Sequence, residues 1–358
     1  MSSAPSTLRK PHKKTLPQAP KTSVIDNDSL QNELLESMFD SESRVSKRIQ
    51  SLESSGLERE LRLAKNEMVN RLSALKHDFP NFSEVIDYLT DSVILAISSR
   101  DKYLQFDPIA LDGPPGVGKT EFCNRLAEIM NLECKFIACS SINSDFSISG
   151  LDRGYTSAYP GEVAQFFWKH KTANPLFILD EFEKPSKDPR GTNSNGTFHG
   201  PFFSLLEPNS AHDFQDNYFR VRFDASYINW VMTVNNFYLL PIPIQSRLTR
   251  FNIEVPGPDQ SRNVIQSIYR SAVSALHTKR GLRLNENLSE EQIRQLAALP
   301  PREVRKALDT MIKKAVRYAY LENTNGRAIH KTIISLRDEH LPAVADTGDR
   351  GIGFLANL

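Results

Sequence analysis

The 358 residues carry 44 Lys and Arg against 43 Asp and Glu, so no whole-molecule field of one sign draws the chain to nucleic acid or to an anionic membrane. No apolar run reaches the roughly 20 residues that cross a bilayer, and the basic, proline-containing start lacks the apolar centre of a signal peptide. Three cysteines without a CxxC pair read as buried thiols of a reducing compartment, which places the expected protein in the cytoplasm with no membrane partner.

Residues 1–27 are rich in Pro, Ser, Thr and Lys and poor in large apolar groups, the composition of a disordered basic tail. Over 28–80 the pattern turns helical, with Leu30, Leu34 and Met38, then Val45, Ile49 and Leu52, then Leu61, Met68, Leu72 and Leu75. Such a stripe serves either a short coiled coil or packing against the protein's own body, and Gly56 interrupts it. From Asn81 onward strand-like runs at 109–112, 135–140, 176–180, 228–234 and 251–255 alternate with helical stretches at 83–98, 120–130 and 161–170. That alternation predicts a doubly wound α/β domain over 81–256 with a parallel sheet. Beyond Pro256 and Pro258 the strands stop, and helices are expected at 261–276, 289–299 and 301–321. Ser289 with Gln292 forms a capping box and Pro301 is a first-turn proline. A small helical domain over 257–340 and a tail over 341–358 complete the division.

The run Gly113-Pro114-Pro115-Gly116-Val117-Gly118-Lys119-Thr120 satisfies GxxxxGK[ST] and lies between a strand and a helix, where the motif works. Its glycines let backbone N–H groups wrap nucleotide phosphates, Lys119 reaches the β and γ phosphates, and the Thr120 hydroxyl holds Mg²⁺. The strand at 176–180 ends in Asp180 and Glu181, a Walker B pattern: Asp180 positions the metal and Glu181 activates the attacking water. Seen alone, two such acids equally mark a solvated strand end. Asn235 closes the next strand and either holds the lytic water or, with Asn236, opens a turn. Arg247 comes after the rigid segment Pro241-Ile242-Pro243, placed to reach a neighbouring subunit's γ-phosphate as an arginine finger, with Arg250 as its rival.

Taken together, residues 113–120, 150–161, 174–184, 205–216, 233–235 and 240–247 resemble, in order and spacing, the ATPase module of the Lon protease family within the AAA+ class. The similarity runs from about residue 81 to about 321. The resemblance implies an AAA+ P-loop NTPase fold, an α/β domain whose parallel five-stranded sheet is flanked by helices, with a small helical lid after it. ATP and Mg²⁺ would bind at the junction, and subunits would assemble head to tail as a homo-oligomeric ring, usually a hexamer. By position, Asn235 matches sensor 1, Arg247 the finger donated in trans, and Arg305 the lid's sensor 2, with Arg302 as its rival. Tyr155 and Thr156 match the pore loop that grips a polypeptide, although the family usually carries an aliphatic residue where Thr156 stands; the bland alternative for Tyr155 is a core tyrosine.

The stretch after residue 321 is too short for the Ser-Lys peptidase of a Lon protease, and the long substrate-binding domain that precedes the Lon ATPase has no counterpart, so no peptide-bond cleavage is expected of this chain. The function expected is ATP-driven, chaperone-like remodelling of protein clients, with a separate protease or adaptor as a possible partner. Two other classes compete. One is a nucleic-acid-handling loader or transposition helper using the basic start; the other is a nucleotide-gated scaffold, against which Glu181 and Arg247 both speak.

Overall fold

The computed structural model describes residues 19–38, 43–142, 146–184, 198–322 and 332–341. Five parallel strands, β1 (Ile109–Asp112), β2 (Cys134–Ala138), β3 (Leu176–Asp180), β4 (Asn229–Val234) and β5 (Thr249–Asn252), lie in the order β2-β3-β4-β1-β5. The three inner strands are buried on both faces and therefore read as continuous apolar runs. Alternate residues divide between two cores: Ala110, Phe177, Leu179, Trp230 and Met232 face one way, and Ile109, Leu111, Leu176, Ile178 and Val231 the other. β2 and β5 are edges, and only one residue of each is buried.

The first core is covered from the chain's beginning by α1 (Asn27–Ser37) and α2 (Arg44–Ser54). The second is covered by α3 (Asn66–Asp78), α4 (Ser83–Ser98) and α5 (Lys119–Met130), through Met68, Leu72, Val85, Leu89, Phe122 and Leu126. α6 (Glu162–Lys169) completes the first face with Val163, Phe166 and Phe167. Leu30, Leu34, Ile49 and Leu52 are thus spent on the body and not on a coiled coil, each stabilising the fold by roughly 1.5–3 kcal/mol.

The disordered tail expected over 1–27 is corrected in its last part. Lys21–Ser23 pair antiparallel with Glu58–Glu60, Val24 and Ile25 are buried, and the Asp26 carboxylate caps α1 by accepting from the Ser29 N–H at 2.8 Å. Two apolar residues amid polar ones carry no periodic signal; their burial is decided by a remote segment, where the Asp26 N–H donates to the Arg222 carbonyl. Residues 1–18, with most of the basic start, lie outside the described residues. The returning strand is pinned by Arg59, which is 1% exposed and donates to the carbonyls of Phe167 (2.8 Å), Gly56 and Glu58 and to the Ser55 hydroxyl.

α7 (Pro258–Arg280), α8 (Glu290–Leu296) and α9 (Pro301–Glu322) pack around a third core of Ile265, Tyr269, Leu296, Val304, Leu308 and Met311. α7 begins earlier than expected because Pro258 occupies its first turn, and it ends at Gly281, whose φ is 66°. The capping box at Ser289 forms as expected, the Gln292 N–H donating to Ser289 Oγ at 3.1 Å and the Ser289 N–H to Gln292 Oε1 at 3.0 Å. A two-residue parallel pair, Arg283–Leu284 with Ile333–Ile334, was not legible from pattern. The expected terminal tail beyond residue 341, with its glycines, lies outside the described residues.

β2 stops at Ala138 in a 3₁₀ turn over Cys139–Ser141, and β5 begins two residues before its expected start, because the ladder with β1 already opens where the Thr249 N–H donates to the Pro108 carbonyl. Cys123 and Cys139 are buried, but Cys134 on the edge strand is exposed, which corrects the expectation of three buried thiols. Among the described residues no helix is long and apolar enough to cross a membrane.

Candidate functional site

The carboxyl ends of β1, β3 and β4 open into one crevice, the position at which parallel α/β sheets bind ligands. After β1, Gly116 and Gly118 take φ of 86° and 103°, conformations that an L side chain resists, and α5 starts at once with Lys119. A helix start preceded by such a loop is an anion site. Lys119 is 8% exposed; its ammonium donates to the carbonyls of Gly113 and Pro114 and, at 3.1 Å, to Asn235 Oδ1. Burial lowers its pKa, and the charges of Glu183, Asp112, Asp180 and Glu181 oppose that shift.

Asp180 ends β3 with Oδ1 accepting from Thr120 Oγ1 at 3.0 Å and from Thr233 Oγ1 at 2.7 Å. Among the described residues no group of three or more His, Cys, Asp or Glu side chains could hold a metal alone. A hydroxyl beside a carboxylate nevertheless fits Mg²⁺, which takes one or two protein oxygens and completes its shell with phosphates and water. Glu181 has φ of 56°, left-handed for a non-glycine residue; its N–H donates to Thr233 Oγ1 at 3.0 Å. Its carboxylate lies 2.6 Å from the Lys184 ammonium. The Lys184 hydrogen bond foremost, with a smaller contribution from the Ser140 hydroxyl, pulls its pKa below the usual glutamate value, so Glu181 is ionised at neutral pH.

Asn235 extends from β4 between opposite charges: Oδ1 accepts from Lys119, and Nδ2 donates to Glu183 Oε1 at 2.7 Å. The turn-opening role falls on its neighbour, since Asn236 Oδ1 accepts from the Tyr238 N–H at 3.1 Å. Glu183 is not recognisable in the sequence, where it passes for a third acid in a solvated run. It is 6% exposed, and its Oε2 is buried without a hydrogen-bond partner among the described residues. Its burial stems from the turn at 181–183 that sinks Phe182 into the core, a conformation no spacing rule reveals.

The cleft so formed encloses about 510 Å³, between the phosphate loop and the helices of the third core, within the size range of small-molecule sites. Pro115, Gly116, Val117, Gly118, Lys119, Thr120, Asp180, Glu181 and Asn235 line it, and Arg302 and Arg305 approach from α9. Gly113 and Pro114 lie behind the loop as acceptors of Lys119. Arg305 pairs with Glu121 at 3.1 Å, whereas Arg302 packs beside Gly116 and has no ion-pair partner among the described residues. Asp78, Phe79 and Asn81, together with Val264 and Ile268 of α7, supply an opposite wall that the sequence did not foreshadow. The only signal is the Phe-Pro-Asn-Phe break at 79–82 between two helical stretches.

Four candidate residues, Arg247 with its rival Arg250 and Tyr155 with Thr156, stand apart from the cleft. Arg247 pairs with Glu207 at 3.1 Å and donates to the Pro243 carbonyl at 2.6 Å. Arg250 is committed within the subunit, to buried Asp112 at 2.6 Å and to the Tyr238 hydroxyl at 2.8 Å. Tyr155 is 60% exposed, which removes the core-tyrosine alternative, and Thr156 is exposed beside it.

Residues 109–258 match the family model described as ATPase family associated with various cellular activities (AAA). The chain is 28% identical to the Lon protease of Neorickettsia sennetsu over 71% of its own length and 30% of that protein. It is 33% identical to Lon protease 1 of Bacillus subtilis over 44% of its length and 20% of the relative. The chain therefore spans less than a third of these relatives. Among solved structures, a cryo-EM reconstruction of closed Hsp104 with ATPγS and FITC-casein superposes with a TM-score of 0.55 at 15% identity, over 72% of this chain and 48% of that one. At that identity the likeness establishes the fold.

Proposed function

We propose that this chain, whose residues 109–258 match the AAA ATPase-family model and which is similar to Lon proteases, is a Mg²⁺-dependent ATPase that works as a ring and remodels protein clients. The observation that carries this reading is the convergence of Lys119, Thr120, Asp180, Glu181 and Asn235 on one cleft. The loop and the Lys119 ammonium bind the phosphates, and the wall of Phe79, Val117, Val264 and Ile268 takes the base. Bound through Thr120 and Asp180, Mg²⁺ would neutralise charge on the phosphate oxygens. Glu181 accepts the proton of the attacking water while Asn235 holds that water in line.

Arg247, outside its own subunit's cleft, acts on the neighbour's. Ring closure, six-fold in this class, is therefore part of the proposed active site, and Tyr155 and Thr156 carry the loop that engages polypeptide. The proposed setting is cytoplasmic, and an adaptor or a separate protease is compatible with it; proteolysis is no part of the activity proposed for the chain itself.

Steady-state ATPase of the purified protein, alone and with an unfolded protein or single-stranded DNA, tests the proposal. Turnover that rises with unfolded protein supports remodelling. A rise with DNA alone transfers the motor to nucleic acid, and no turnover under any condition defeats the ATPase reading. Lys119→Ala is expected to abolish nucleotide binding, read by titration calorimetry, because nothing else buried in the loop supplies a cation. For the lid, Arg302→Ala is expected to weaken ATP binding or turnover at least about tenfold, equivalent to roughly 1.4 kcal/mol, and more than Arg305→Ala, whose guanidinium is already paired with Glu121. The reverse ranking would return the sensor role to Arg305.

A further inference from the structure

We propose that the N-terminal segment 19–60 braces the loop that carries Tyr155, so that α1 and α2 belong to the substrate-gripping apparatus; this rests on the reading of Tyr155 as a polypeptide contact. The loop leaves the body at Gly150 and returns at Gly161. Both ends are fastened to the short turn at 216–219. The Asp216 carboxylate, fully buried, accepts from the N–H groups of Gly161 (2.7 Å), Tyr218 (3.0 Å) and Phe219 (2.7 Å). Asn217 donates from its N–H to the Ser149 carbonyl at 2.7 Å and from Nδ2 to the Gly150 carbonyl at 3.2 Å. A Cβ at Gly161 would lie 2.1 Å from the Ile148 carbonyl oxygen, so the two ends run in backbone contact.

Arg153, two residues before Tyr155, ties the loop itself to the same turn. Its Nε and Nη2 donate to the carbonyls of Tyr218 and Phe219, both at 2.6 Å. Its third nitrogen, Nη1, lies 2.7 Å from Glu33 Oε2 of α1, a charge contact in which the side chains are only 17% and 10% exposed. α2 holds the turn from the other side, Arg48 Nη1 donating to the Tyr218 hydroxyl at 3.1 Å with its guanidinium over the ring. Below the turn, the Arg222 N–H donates to Ser29 Oγ and the Asp26 N–H to the Arg222 carbonyl.

Every one of these N-terminal partners lies before residue 109, where the family domain begins. The tip of the loop is exposed while its base is fixed by buried, charge-assisted contacts, which hold geometry because a half-buried charge deprived of its partner is costly. Segment 19–60 thus sets the height and tilt at which the exposed Tyr155 ring is presented.

The test uses the full chain with Glu33→Gln, which keeps the side-chain shape and removes the charge, Arg153→Lys, which keeps charge and loses the fork, and both together. Hydrogen–deuterium exchange over 150–161 is expected to quicken about tenfold in Glu33→Gln, with α5 and β4 unchanged. Basal ATPase is expected to hold, whereas stimulation by an unfolded protein falls by at least about fivefold, and the double variant loses less than the sum of the singles. Unchanged exchange in Glu33→Gln, or strictly additive losses, overturns the brace. Tyr155→Ala run in parallel separates the two ideas: if it keeps full stimulation, the gripping reading fails, while the exchange data still decide whether α1 holds the loop.

Discussion

Glu181→Gln is expected to retain ATP while slowing hydrolysis by about two to four orders of magnitude, the usual contribution of a positioned general base. The substitution keeps the side-chain length and leaves Lys119, Thr120 and Asp180 untouched, so affinity for ATP should persist. It removes a carboxylate at the end of β3 that is neither the partner of Thr120, as Asp180 is, nor buried against Asn235, as Glu183 is. Lys184 keeps Glu181 ionised, which leaves it able to accept a proton, but the same ammonium competes for the carboxylate; a conformational step that separates the two is therefore part of the expectation. Normal turnover in Glu181→Gln would transfer the base role elsewhere, with Glu183 the next carboxylate in line.

Arg247→Ala is expected to bind ATP normally and lose about three to five orders of magnitude in rate, the range typical of arginine fingers. In the isolated subunit this guanidinium rests on Glu207 and Pro243, contacts that are partly exposed and cheap to exchange for a neighbour's phosphate. Mixing Arg247→Ala subunits with Lys119→Ala subunits is the decisive measurement. Each kind is inactive alone, yet an Arg247→Ala site facing an intact Arg247 on a Lys119→Ala neighbour regains turnover if the finger acts in trans. Arg247→Ala at the wild-type rate would sink the assignment. Arg250 is a poor substitute, since withdrawing it would strand the buried Asp112 carboxylate.

Legibility in the sequence divides along physical lines. The phosphate loop and the strand ends at Asp180 and Asn235 were readable because each is encoded by local residue types in a fixed order: glycines where φ is positive, apolar runs where a strand is covered on both faces. The sheet and the capped helices of the third core were readable for the same reason. Glu183 was not, because which of several adjacent polar residues turns inward depends on a single backbone bend; for the same reason Asn236 was legible as a turn residue but not as the one of the Asn235–Asn236 pair that takes the turn. The wall at Asp78, Phe79 and Asn81 was hidden because it faces the cleft only through packing of distant helices. The pairing of residues 21–23 escaped for want of any period over three residues. Arg247, by contrast, was legible as a candidate, and its location outside the cleft leaves its role to experiment.

The earliest described part of the chain closes against some of its middle: Ile25 bridges Phe223, nearly two hundred residues later. Synthesis at about 5–20 residues per second places on the order of ten to forty seconds between the emergence of one partner and the other. Through that interval Val24, Ile25, Leu30, Leu34, Ile49 and Leu52 have no completed core to cover. The first of these residues to leave the ribosome are thus among the last to find their place, and a nascent chain of this protein exposes the sticky apolar faces of α1 and α2 for as long as its own α/β domain is unfinished.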